Sequence, residues 1–122
     1  MKTTAVLLAL SVTIPAAIAA LEDPPPQHVK WMQESGQLMD KIRSGQDVQT
    51  SAKRLEAIYK EVEAFWAKRN SEVAVKATRD IQAAAAKVAA GDSAKGRAIG
   101  AGCRSCHDQH REKISDTVYK IK

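Results

Sequence analysis

The chain has 122 residues, 44% of them hydrophobic, 27% charged and only 4% aromatic, with a formal net charge of +5. That length makes one small domain, and beyond the N-terminal segment no apolar run approaches the roughly 20 residues of a membrane span. So modest a basic excess allows docking to acidic surfaces without implying a nucleic-acid partner, and so few aromatics suit either alanine-rich helices or a core built on an aromatic body that is not an amino acid.

Residues 1–20 read as a secretory signal. Lys2 supplies the basic start, Ala5 to Ile18 the apolar run, and Ala17, Ala19 and Ala20 the small residues for cleavage after Ala19 or Ala20. Residues 21–27, with Pro24-Pro25-Pro26, read as an extended lead-in that delays the first helix until the prolines end.

A helical domain is expected over residues 28–115. Val29, Met32, Gly36, Met39 and Ile42 recur at three and four, and Gly45 supplies a C-cap. Asp47 is placed to cap a second helix, in which Val48, Ala52, Leu55, Tyr59, Val62 and Trp66 alternate at four and three, widened by Ile58 and Phe65. A third helix is expected from Ser71 to Ala90, ended by Gly91, with Val73, Ala77, Ile81, Ala84 and Val88 inward. Asp92 or Ser93 caps a fourth, whose inward stripe is Ile99, Cys103, Cys106, His110 and Ile114. Residues 116–122 are left as a short basic tail, and no strand-like alternation competes with the helices.

The segment Cys103-Arg104-Ser105-Cys106-His107 holds both cysteines of the chain, with a histidine directly behind the second. This is the attachment signature of a c-type haem. Residues three and four apart share a helix face, so two thiols can add to the two haem vinyl groups while the imidazole reaches the iron. Three other readings exist. A thioredoxin-like redox pair belongs at a helix start in a βαβ setting, and no strand pattern precedes this one. Zinc on Cys103, Cys106, His107 and His110 would crowd four ligands onto one helix, against tetrahedral geometry. A disulfide at three-residue helical spacing strains the bridge.

Met32 and Met39 lie seven apart on the first helix, and either can offer a thioether to iron or simply fill the core. For the sixth position Met32 is expected first, an open site next, then Met39, the runner-up among the methionines, with His28 last. His110 rides the same helix as His107 and is expected to face solvent or a haem carboxylate.

Four helices with this motif on the last one resemble the cytochrome c′ family, the class II c-type cytochromes. The local likeness includes Gly100 three residues before Cys103, the basic Arg104, and Arg111 four residues after His107. His110 stands where that family usually has an aromatic, and Lys30, Trp31 and Met32 replace its first-helix arginine region. The resemblance implies an all-α, antiparallel four-helix bundle carrying one covalent haem c on its C-terminal helix. It further implies Cys103 and Cys106 as anchors, His107 as proximal ligand, Arg111 as a cofactor contact, and homodimers as an option. Low-spin relatives take a first-helix methionine and pass electrons; five-coordinate members bind nitric oxide or carbon monoxide. The expectation is an exported, periplasmic electron carrier, not an enzyme, that meets redox proteins with acidic docking surfaces.

Overall fold

The computed structural model describes residues 21–122; the expected signal, Met1 to Ala20, lies outside the described residues. About three-quarters of those residues are helical, in α1 (Pro26–Ser44), α2 (Val48–Lys68), α3 (Glu72–Ala89) and α4 (Gly96–His110), with a 3-10 turn at Ser93–Lys95. Two short strands follow, β1 (Arg111–Lys113) and β2 (Tyr119–Ile121).

The helix ends follow local chemistry. Pro26 sits in the first turn of α1 rather than before it, because a first-turn residue has no helical partner for the N–H that proline lacks. At the other end Gly45 takes a left-handed φ of 76°, and the N–H groups of Gly45 and Gln46 donate to the carbonyls of Ile42 and Lys41. Ser71 caps α3 through its hydroxyl, which accepts from the Ala74 N–H at 3.2 Å. Asp47 occupies the N-cap position of α2 but at φ 47°, and its carboxylate makes no capping bond. Nor does a side chain cap α4, which enters through the 3-10 turn instead of from Asp92 or Ser93.

Cross-helix hydrogen bonds tie α1 to α2 and α2 to α3. Trp31 donates to Glu61, and Arg54 to Glu34, between α1 and α2. Gln82 and Arg79 of α3 both reach Glu63 of α2. The core runs between them: Leu55, Ile58 and Val62 of α2, Ile81 and Val88 of α3, and Ile99 of α4 are fully buried. The small stripe Ala74, Ala77, Ala84 and Ala85 lets α3 approach its neighbours closely. Closest of all is Gly102 of α4, where a Cβ would lie 2.5 Å from Ile81 Cγ1. α1 and α4, by contrast, hardly touch. None of these helices is long and apolar enough to cross a membrane.

The stripes hold with three exceptions, the first being Gly36 of α1, which is exposed. Val73, in the first turn of α3, is 47% exposed, and Ile114 is 51% exposed. Ile114 is outside because α4 stops at His110, not near residue 115: Arg111 turns extended at φ −115° and ψ 124°. The expected tail is therefore part of a hairpin. Arg111 pairs with Ile121, Glu112 with Lys120 and Lys113 with Tyr119, antiparallel. The lead-in joins it, since Glu22 and Ile121 exchange two backbone hydrogen bonds of 2.9 and 2.8 Å. Lead-in and hairpin thus form one cap over an end of the helices. No alternation announces strands this short; backbone pairing, the buried Ile121 and the Glu112–Lys122 ion pair hold them.

Candidate functional site

The gap between α1 and α4 is a cavity of about 940 Å³, at the upper end of the range for pockets that enclose small molecules and cofactors. His28, Met32, Ser35 and Met39 line it from α1, Tyr59, Val62 and Trp66 from α2, and Ile81 from α3. α4 contributes Cys103, Cys106, His107 and His110, and the cap closes one end with residues 117–121. A second hollow of about 500 Å³, beside Ser71 and Lys76, has no cysteine, histidine or methionine in its wall.

Every site residue expected from the sequence reaches this one cavity: Cys103, Cys106, His107, Arg111, Met32 and Met39, together with His28. Both cysteines are free thiols and half-buried. Burial pushes Cys106 up to about 11, helped by the neighbouring Cys103, and burial likewise raises Cys103. Both are therefore held as neutral thiols. His107 is half-buried, and burial with the Arg111 guanidinium holds its pKa below the ordinary histidine value, which keeps the imidazole neutral with a lone pair to offer. Met39 is 7% exposed and packed in the core, whereas Met32 is half-buried. Arg111 stacks its guanidinium 4.6 Å from the Tyr119 ring centre.

Tyr59 and Ser35 carry no signal in the sequence beyond helical spacing, and His28 carries only that of its imidazole. Tyr59 faces the site: its hydroxyl lies 3.8 Å from Cys103 Sγ. Buried Ser35 stands beside it and makes no hydrogen bond of good geometry, although the two hydroxyls are polar neighbours. His28 sits in an aromatic box, 5.0 Å from Phe65 and 6.0 Å from Trp66 between ring centres. Its Nε2 is buried without a partner, and burial, then Arg69 and His107, lower its pKa to about 4.

His110 is neither solvent-facing nor free. It stacks on Trp66 at 4.2 Å and 26°, while Nε2 meets Ser71 Oγ at 2.6 Å and Nδ1 meets the Lys122 carbonyl oxygen at 2.9 Å. Among the described residues no three His, Cys, Asp or Glu side chains converge as a metal site.

The residues present fit a porphyrin held by thioethers. Two free thiols and a neutral imidazole stand on one helix face at this cavity, with the orphaned polar atom of His28 in its wall. Comparison with known proteins yields no match to any family model, curated protein or solved structure.

Proposed function

We infer that the chain is an exported monohaem c-type cytochrome that carries electrons in the periplasm, its helices forming an antiparallel four-helix bundle around the haem. One observation carries this: Cys103, Cys106 and His107, at the spacing thioether attachment needs, open together onto the cavity of about 940 Å³ between α1 and α4. Haem iron, once held there, supplies a one-electron couple tuned by axial ligand, burial and nearby charge.

The chain's own residues have distinct parts in this reading. Cys103 and Cys106 anchor the ring by covalent bonds, and His107 is the proximal ligand. Tyr59 donates to the sulfur of Cys103 and fixes that side chain. Val62, Trp66 and Ile81 form an apolar floor that keeps water away. Arg111 at the cap end offers a cation to the carboxylates of the group. Met32, half-buried and in the cavity wall, is the sixth ligand, in preference to Met39, which already serves as core. The protein acts as a carrier and not as an enzyme.

A second reading is favoured by Gly36, which lines the same wall and has no atom within 4 Å of where a Cβ would stand. Room beside Met32 suits a five-coordinate haem that takes up nitric oxide or carbon monoxide. An absorption spectrum of the purified holoprotein, oxidised and reduced, with and without carbon monoxide, separates the two. A low-spin spectrum unmoved by the gas supports the carrier, and a high-spin spectrum that shifts supports the gas-binding module.

A further inference from the structure

The charge of the molecule is not spread evenly over its two ends. Where α1 stops and α4 begins, a Cβ on Gly96 would lie 3.8 Å from Ile42, and one on Gly91 would lie 3.9 Å from Gln49. Residues 45–47 and 90–95 therefore lie together, with the adjoining turns of all four helices. Lys41, Lys53, Lys87, Lys95 and Arg97 are exposed there, as is Arg104 further along α4, and none of these pairs with a described carboxylate. Their acidic neighbours are Asp40, Asp47 and Asp92, of which Asp40 is taken by Arg43 at 3.4 Å.

The cap end is the reverse. Arg69 pairs with Glu22, Lys120 with Asp23, Lys113 with Asp116 and Lys122 with Glu112. Four cations over the cap are thus matched, with Lys30, Lys68 and Arg111 unpaired at that end, while Lys41, Lys53, Lys87, Lys95 and Arg97 all stand open at the other. Unpaired surface lysines ordinarily mean only a solvated face. Here the face adjoins the site, because Arg43 and Arg104 also line the cavity, and Arg43 is near enough to Cys103 to favour its thiolate.

We propose that this end of the molecule is the docking surface for an acidic redox protein, steered by the open cations onto the Cys103 edge of the cavity. The inference rests on the electron-carrier reading above. Complementary charge raises encounter rates by 10- to 1000-fold and fades as salt screens it, and it also fixes which edge of the cavity faces the partner.

The test uses the holoprotein and two double charge reversals with the same change in net charge. Lys95→Glu with Arg97→Glu alters the proposed face, and Lys30→Glu with Lys68→Glu alters exposed, unpaired positions near the cap. Poly-L-glutamate is the acidic probe, titrated at low ionic strength. The first pair should weaken binding about tenfold and the second leave it near the parent value; equal weakening by both would overturn the proposal.

The second arm is electron transfer, in which reduced holoprotein gives one electron to hexacyanoferrate(III), forming hexacyanoferrate(II). The rate should fall about tenfold in the first pair alone, and equal rates in both would again overturn the docking face. A pyridine haemochrome assay comes first. If no protein carries haem, the carrier reading fails, and the poly-L-glutamate titration still decides the surface.

Discussion

Tyr59 of α2 places its hydroxyl 3.8 Å from Cys103 Sγ of α4, 44 residues and two helices further along the chain. Burial, and then Cys103 itself, push the phenol well above its ordinary pKa, so it is a donor at any physiological pH. Tyr59→Phe keeps the ring in the core and removes only the hydroxyl, and is expected to cost about 1 kcal/mol. Tyr59→Ala is expected to cost about 3–5 kcal/mol, as emptying an aromatic site does. Urea unfolding of the two variants checks the split.

Gly102 faces Ile81 too closely for any side chain, with a Cβ 2.5 Å from Cγ1 and 3.3 Å from the Ala77 carbonyl oxygen. Gly102→Ala should push α4 off α3 and destabilise the fold by about 1–3 kcal/mol. Adding Ile81→Ala should make the two changes cost less together than their sum, measured by denaturation in a double-mutant cycle.

The helices and the attachment motif were legible because both are local patterns. A four-three stripe from Ala52 to Trp66 predicts which residues of α2 are buried, and it does so without knowing the partner. What escaped depends on distant pairing. The cap needs Glu22 and Ile121, almost a chain length apart, and its strands are three residues each, too short for alternation to show. The stripe on α4 ran on to Ile114 because nothing local marks His110 as the last helical residue. Asp47 shows the converse, a capping residue at the right place whose carboxylate the left-handed backbone directs elsewhere.

His110 ties the cap to the helices through Ser71, Trp66 and Lys122. His110→Ala should cost about 2 kcal/mol, from two hydrogen bonds and a stacked ring. The loss should be local: hydrogen exchange should speed up at residues 111–122, with the buried amides of α2 and α3 unchanged.

The apoprotein should lose stability on mild acidification. His28 titrates at about 4 in the folded chain against 6.5 ordinarily, so below pH 6.5 the unfolded state takes up a proton that the folded state refuses. The contribution is whole above pH 6.5 and drains away as pH falls to about 4. Glu34 and Glu63, whose carboxyls are held below 4.5 by their hydrogen bonds to Arg54 and Gln82, act in the same direction only at lower pH. His107, also held below its ordinary value by burial and Arg111, acts in the same direction. His28→Gln should therefore lessen, without abolishing, the fall of the urea midpoint between pH 6.5 and 4.5, and an unchanged slope would assign it to other groups.

Cys106, held near 11 by burial, should react slowly in the apoprotein. Against the ordinary value of 9.0 its thiolate is about 100-fold scarcer at neutral pH. Iodoacetamide at pH 7 should label it correspondingly more slowly in folded than in unfolded chain, read by peptide mass spectrometry.

The central claim is a covalent haem on Cys103 and Cys106. Its most direct measure is the intact mass of the exported protein after acid-acetone extraction, for the parent chain and for Cys103→Ala with Cys106→Ala. The account predicts a gain of one haem that survives extraction in the parent and is absent from the variant. A parent chain at bare polypeptide mass, with both thiols open to alkylation after unfolding, would contradict it.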